Sequence, residues 1–146
     1  MDNCNELCQK IREFNRFYTV QMDFLNSGYL GSSYSITETR ILFELKTHAG
    51  CTQSDIAKKL HIDKSYLSRI IRKFAQKGLV EKSKFDGDRR AEILSLTSLG
   101  DTETDHLIEL ANERISSQIS CFSSEECDIL FSSLNTILTI YGRSGC

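Results

Sequence analysis

The spacing of apolar residues along this chain changes at residue 80. Before that point, apolar positions recur every three or four residues, which is the period of amphipathic helices. Residues 80–85 and 91–96 instead alternate as strands do, and the Asp86-Gly87 pair between them favours a tight hairpin, because glycine tolerates positive φ. Beyond the hairpin the helical period returns. The pattern predicts a mainly α (α+β) fold with one hairpin.

Four helices are predicted before the hairpin. The first carries an apolar stripe from Leu7 to Leu25 and ends in the glycine-containing stretch 26–33. The next three begin at side chains that can accept the free N–H groups of a first turn. These are Ser35 with Glu38 and Thr52 with Asp55, followed by Asp63. Gly78 is expected to end the fourth helix in the left-handed conformation.

The same spacing predicts which residues face inward and where the last helices lie. The inward residues of helices two to four are Ile41, Leu42 and Leu45, then Ile56, Ala57 and Leu60, then Leu67, Ile70, Ile71 and Phe74. Thr97 is expected to cap a long helix with an apolar stripe over 107–122. A capping box from Ser123 to Glu126 opens a last helix with a stripe over 129–141.

Composition indicates a globular protein rather than a disordered or fibrous one. The chain has 146 residues, 40% hydrophobic and 26% charged. The sequence shows neither a run of about 18 apolar residues nor an apolar segment after a basic start, so we expect no membrane contact and a cytoplasmic location. The cysteines are then expected to be reduced thiols. They are Cys4, Cys8, Cys51, Cys121, Cys127 and Cys146.

Charge is concentrated in the middle of the chain. Residues 52–91 contain eleven Lys and Arg against five Asp and Glu, whereas residues 92–146 contain two against nine. Residues 1–51 are close to neutral, with five against six. A basic segment within an otherwise acidic chain is typical of a unit that binds a polyanion.

The basic segment has the order of a winged helix-turn-helix, in which the second helix enters the major groove and the hairpin follows the backbone. Arg69 can form a bidentate pair with guanine, Ser65 and Ser68 can bond to bases or phosphates, and Tyr66 can contact a thymine methyl. The full candidate set for double-stranded DNA is Lys64, Ser65, Tyr66, Ser68, Arg69, Arg72, Lys73, Lys84, Asp88, Arg89 and Arg90.

Other interpretations of these residues are open. A basic helix face by itself is usually a solvated surface, and the adjoining hairpin with its arginine pair is what favours DNA. Arg89 or Arg90 can also pair with Asp86 or Asp88. We expect an aspartate to brace one arginine while an arginine reaches phosphates or the minor groove.

In several of these residues, the sequence resembles the multiple antibiotic resistance regulator (MarR) family. The family's wing pattern is matched by Asp88, Arg90, Leu96, Thr97 and Gly100. The segments FNRFYT, SITETRILFEL and DKSYLSRIIRKFAQKGLV are similar to the regulator half of fusions between such a domain and a GNAT acetyltransferase. The acetyl-CoA phosphate loop of that enzyme is not found in this sequence, so acetyltransferase activity is not expected.

The resemblance implies a single MarR-type domain over 1–146. Within it, residues 35–97 would form the winged helix-turn-helix, and residues 1–34 and 98–146 would supply the dimerisation helices. It also implies a homodimer on a pseudo-palindromic operator. DNA would be released by a small anionic or phenolic effector, or by oxidation of a cysteine.

The residues that would sense an effector or an oxidant are predicted less specifically than the residues that would bind DNA. Conceivable effector contacts are Arg16, Tyr18, Tyr29, Arg40 and His106, each of which can equally be a surface or packing residue. Cys4 and Cys8 can form a thiol sensor or half of a metal site, or they can be spare thiols. No pair of motifs has the spacing of zinc ligands, and we expect neither a metal nor a cofactor.

The sequence therefore predicts a homodimeric transcription regulator, most simply a repressor. The alternative is a winged-helix module that binds protein without DNA specificity, which would require residues 64–72 to present an apolar or acidic outer face. An enzyme is not expected, because no nucleophile–base pair, metal cluster or phosphate loop is visible.

Overall fold

The computed structural model describes residues 2–85 and 88–143, with side chains except those of residues 2, 85 and 88–91. The predicted Asp86-Gly87 turn and Cys146 lie outside the described residues. The helices are α1 (Asp2–Gln21), α2 (Ile36–Thr47), α3 (Gln53–Leu60), α4 (Lys64–Gln76), α5 (Ser98–Ile119) and α6 (Ser124–Gly142). The strands are β1 (Val80–Phe85) and β2 (Asp88–Leu96), which pair antiparallel. The expected mainly helical fold with one hairpin is confirmed.

The chain divides into two compact units, Met1–Leu110 and Ala111–Cys146. The first contains α1 to α4, the hairpin and the start of α5, and the second contains the end of α5 and all of α6. The domain boundaries expected from the sequence at 34/35 and 97/98 stay a prediction.

The end of α1 differs from the sequence-based expectation. The helix stops at Gln21, and Leu25 lies beyond it with its side chain 75% exposed. Asp23 adopts a left-handed φ of 59°, and its carboxylate accepts hydrogen bonds from Asn26 Nδ2 and from the backbone N–H of Leu30. An aspartate can enter this conformation because its short polar side chain bonds locally. A 3₁₀ turn, Tyr29–Gly31, follows.

Side-chain caps begin the helices as predicted, with one difference at α2. Asp63 accepts from Tyr66 N–H, and α3 and α6 have complete capping boxes. At α2, Ser35 Oγ accepts from Glu38 N–H, but the Glu38 carboxylate lies 3.0 Å from Lys73 Nζ instead of closing a capping box. The predicted box is therefore wrong in its second half, because an ion pair to α4 uses the carboxylate.

The core of the first unit forms where α2, α3, α4 and the hairpin meet. The predicted inward residues are buried, apart from Leu60, which is partly buried against the cluster. Tyr34 joins this core with 7% of its surface exposed, and its hydroxyl donates to Glu103 Oε2 at 3.1 Å. Burial, together with that hydrogen bond, raises the pKa of Tyr34 to about 12.

The hairpin is attached to the turn before α3. Val80 pairs with Leu96, and β2 begins at Asp88, three residues before the predicted start of the strand. The backbone N–H of Leu94 donates to Cys51 C=O, which attaches β2 to the turn before α3. The register shifts between Lys84 and Phe85, near the tip.

The junction between β2 and α5 is a close backbone contact. Thr97 Oγ1 accepts from Gly100 N–H, as an N-cap does, and donates to Gly78 C=O. A Cβ atom at Gly100 would lie 2.0 Å from the Leu79 carbonyl oxygen. The contact therefore requires glycine at this position, and the start of α5 is held against the segment that leads into β1.

We expect Gly100→Ala to destabilise the protein, because the added methyl group would overlap the backbone of Leu79. Overpacking of this kind costs about 1–3 kcal/mol, which urea unfolding at equilibrium can measure. Gly142→Ala is the matched control, since nothing lies within 4 Å of a Cβ at the end of α6. Equal unfolding midpoints for wild type and Gly100→Ala would contradict the close contact.

Candidate nucleic-acid interface

The turn between α3 and α4 sets the direction of the second helix. His61 ends α3 in a left-handed conformation with a φ of 52°, and the N–H of Ile62 donates to Ala57 C=O. Asp63 then caps α4 by accepting from Tyr66 N–H at 2.9 Å. The two helices therefore meet through a three-residue connection, which is the arrangement of a helix-turn-helix.

The two faces of α4 differ in burial and in chemistry. Leu67, Ile70, Ile71 and Phe74 are each 7% exposed or less and belong to the core. Because side chains three and four apart share a helix face, the polar residues between them face solvent. An open depression on this outer face is lined by Lys64, Ser65, Ser68, Arg69 and Arg72. Its lining includes no carboxylate.

Ion pairs divide the basic residues into two classes. Lys73, a predicted DNA contact, lies 3.0 Å from Glu38 on α2, so its charge is compensated within the protein. Lys59 is paired in the same way with Glu44 at 2.7 Å. Among the side chains that the structure describes, by contrast, Arg69 and Arg72 have no carboxylate within ion-pair distance. Their charge is available to an anionic partner.

Tyr66 lies beside this surface rather than within its lining. Its side chain is 40% exposed, and the Arg69 guanidinium carbon lies 6.0 Å from the centre of its ring. The arrangement brings an aromatic ring and an arginine together on the first two turns of α4.

The predicted wing residues are only partly described. Lys84 is exposed on β1, and Asp88, Arg89 and Arg90 lie on β2. The side chains of these three, and the whole of Asp86, lie outside the described part, so the expected pairing of aspartate with arginine stays a prediction. Midway along the hairpin, Lys82 Nζ lies 3.8 Å from Glu92 Oε2.

Three of the five candidate effector residues come together in the first unit. Tyr29 is 5% exposed, and burial raises the pKa of its phenol, while the nearby charge of Arg40 acts in the opposite direction. A row of aromatic rings reaches Tyr29 from α1 through Tyr18 and Phe24, with ring centres 6.0 Å apart at each step. Arg16 and His106 are exposed on α1 and α5 and do not belong to this set.

The cysteines of α1 and Cys51 lie in different environments. Cys4 and Cys8 are exposed and one turn apart on α1. Cys51 is half-buried before α3, and burial raises the pKa of its thiol. A reactive thiolate needs a lowered pKa, which Cys51 does not have. No group of three or more potential metal ligands was found in the part of the chain that the structure describes.

Two further lysines belong to the helix-turn-helix or follow it directly. Lys58 is exposed in the last turn of α3, and Lys77 Nζ lies 5.6 Å from the centre of the Tyr34 ring just after α4. Neither was singled out from the sequence. Both lie in the basic segment 52–91, so the local charge count was the available signal.

No helix among the described residues is both long enough and apolar enough to cross a membrane.

Comparisons with known proteins give one consistent family. A sequence model described as MarR family matches residues 34–91. The HTH-type transcriptional regulator BilQ of Clostridium symbiosum (strain WAL-14163) is 30% identical over 88 residues, which cover 60% of this chain and 61% of BilQ. The match thus spans about three fifths of the length of the curated relatives.

Solved structures show that the likeness extends over most of the fold. A mutant MarR from E. coli complexed with operator DNA has a TM-score of 0.70 and 21% identity, covering 92% of this chain and 96% of that one. BpsR from Bordetella bronchiseptica, whose DNA binding is regulated by 6-hydroxynicotinic acid, has a TM-score of 0.68 and 19% identity, covering 88% and 98%. The chain thus resembles the MarR family over residues 34–91, a segment that contains α2 to α4 and β1.

Proposed function

We propose that this protein is a homodimeric transcription regulator that binds double-stranded DNA sequence-specifically and acts as a repressor. The observation that carries the proposal is the outer face of α4, where uncompensated arginines and hydroxyl groups line one open surface. The names of the family relatives, which are transcriptional regulators, support this function rather than an enzymatic one.

The division of charge on the helix-turn-helix is what DNA binding requires. Phosphates attract lysine and arginine side chains whose charge is not already neutralised, and each contact releases counterions. Among the side chains that the structure describes, Arg69, Arg72 and Lys64 meet this condition on α4. Lys73 acts instead as a brace between α4 and α2 through Glu38. The outer face is neither apolar nor acidic, so it does not favour the protein-binding alternative.

We expect Arg69→Glu and Arg72→Glu each to weaken specific DNA binding by at least about 100-fold, because each replaces a favourable contact by repulsion from the phosphates. The operator would be obtained by selection from random double-stranded DNA, and affinities would be measured by fluorescence anisotropy at several salt concentrations.

Lys10→Glu is the matched control for these charge reversals, since Lys10 is exposed on α1 and pairs there with Glu13. This variant should bind the operator within about threefold of wild type, a change of under 1 kcal/mol as expected for an exposed charge away from the interface. Tight specific binding by both arginine variants would refute the DNA-binding proposal.

The proposed homodimer rests on apolar side chains that remain exposed in a single chain. On α1, Phe17 is 61% and Val20 is 59% exposed, and on α6, Phe131 and Leu138 are each 69% exposed. Helix α6 has no buried residue at all among those described. Burying one leucine stabilises an assembly by about 1.5–3 kcal/mol, so two copies that cover these stripes gain substantially.

Leu138→Glu should shift the protein from dimer to monomer, because two unpaired carboxylates would be buried at the proposed interface. Sedimentation equilibrium would show twice the 16.6 kDa chain mass for wild type. Ser132→Glu, on the side of the same helix that carries Asp128 and Thr136, adds the same charge and should leave the dimer intact. The assignment of α6 to the interface fails if Leu138→Glu remains a dimer at micromolar concentration.

We further propose that DNA is released by a small aromatic acid or by thiol oxidation. The neighbouring Tyr29, Tyr18 and Arg40 provide rings and a cation of the kind that such a ligand needs. The regulation of BpsR by 6-hydroxynicotinic acid is a precedent of the same chemistry in a protein of this fold. The ligand must prefer the released state by only a few kcal/mol.

We expect 6-hydroxynicotinate to weaken the wild-type operator complex at least tenfold, and Arg40→Gln to remove that response because the carboxylate loses its cation. Hydrogen peroxide tests the second route, with a Cys4→Ser, Cys8→Ser double variant as its control. Operator affinity that changes with neither compound would overturn the release proposal and leave DNA binding untouched.

A further inference from the structure

We propose that Tyr66 is a positioning residue for Arg69, and that this pair reads one guanine of the DNA site through its major-groove edge. The inference rests on the proposed DNA-binding function and goes beyond it, because it assigns different roles to Arg69 and Arg72 on the same helix face. It makes base discrimination, rather than total affinity, depend on an aromatic ring.

The contacts of the α4 cations distinguish Arg69 from the others. Lys73 is held by the Glu38 carboxylate at 3.0 Å. Among the described residues, Lys64 and Arg72 have neither an ion pair nor a ring contact. Arg69 lacks a carboxylate partner but has its guanidinium carbon 6.0 Å from the Tyr66 ring centre. Arg69 is therefore both uncompensated in charge and restricted in position.

The chemistry of this contact suits base recognition. A carboxylate partner would occupy the N–H donors of the guanidinium and cancel its charge. An aromatic ring instead attracts the cation through its π face and accepts none of the hydrogen bonds that a base requires. The donors of Arg69 remain available for the O6 and N7 atoms of guanine.

The ring itself stands on a fixed part of the helix. The backbone N–H of Tyr66 donates to Asp63 Oδ2 at 2.9 Å, which secures the first turn. The next residue, Leu67, is 1% exposed, and Ile70, which follows Arg69, is 7% exposed. Both members of the pair are thus attached to backbone that the core holds. A long arginine side chain restricted in this way loses less rotamer freedom when it binds.

The test is a thermodynamic cycle between Tyr66 and one base atom. In the operator selected for the wild-type protein, each guanine is replaced in turn by 7-deazaguanine, which lacks only the N7 acceptor. The guanine read by Arg69 is the one whose replacement weakens wild type but not Arg69→Ala. We expect wild type to prefer guanine at that position by about tenfold, as for the loss of half a bidentate contact.

The variants separate positioning from general binding. Tyr66→Leu should reduce this preference to less than about threefold while changing affinity for non-specific DNA by less than twofold. Tyr66→Phe keeps the ring and should keep the preference. Arg72→Ala is the matched control: it should weaken binding to guanine and 7-deazaguanine sites equally and lower the salt dependence by about one counterion.

The possible outcomes test the positioning role of Tyr66, the guanine readout by Arg69 and the DNA-binding function separately. Discrimination by Tyr66→Leu equal to that of wild type, or loss of discrimination in Tyr66→Phe, would overturn the positioning role. Failure to find any guanine whose substitution effect depends on Arg69 would overturn the assigned readout while sequence-specific binding persists. Absence of sequence-specific binding by wild type would instead overturn the proposed function, and with it this inference.

Discussion

Burial of one face of α4 fixes most of what the winged helix can do. Leu67, Ile71 and Phe74 are 1% exposed or less and lie in the core that also includes residues of α2, α3 and the hairpin. Side-chain directions on a helix are set by its backbone, so burying this face turns Ser65, Arg69 and their neighbours outward. The hydrophobic effect therefore orients the polar surface.

Ion pairs determine instead which lysine and arginine side chains can still bind an anionic partner once the helix is in place. Four carboxylates form ion pairs with lysines of α2, α3 or α4. They are Glu38, Glu44, Asp101 and Asp105, and the two aspartates share Lys46. Exposed pairs of this kind add little to stability. These pairs affect instead where positive charge remains. The acidic residues lie on other elements, so the described basic side chains on the outer face of α4 are left without carboxylate partners. The chain carries a net charge of −2 and still presents a locally cationic surface.

Local signals made most of the fold predictable, and contacts distant in sequence account for what was missed. The bounds of β1 and the caps Thr52, Asp63 and Ser123 depend on neighbouring residues, and the structure has them as the sequence indicated. The pairing of Glu38 with Lys73, 35 residues away, cannot be inferred from spacing, since a capping box and an ion pair need the same carboxylate. The burial of Tyr29 was likewise not predictable from spacing, because Tyr29 follows the turn after α1 in which Asp23 adopts a left-handed conformation. For the DNA candidates, the sequence supplied the residues of one face but not the differences in compensation among them.

Those differences bear on how proteins with this fold can bind different DNA sites. A helix face rich in cations binds any duplex through its phosphates, and specificity requires that some cation be held where only one base edge suits it. Carboxylates hold cations but neutralise them, whereas rings hold them without doing so. In this chain the first type of contact is found at Lys73 and the second at Arg69, one helical turn apart. Substitutions at the ring position could then change the site that is read while the buried face, and the fold it maintains, stays the same.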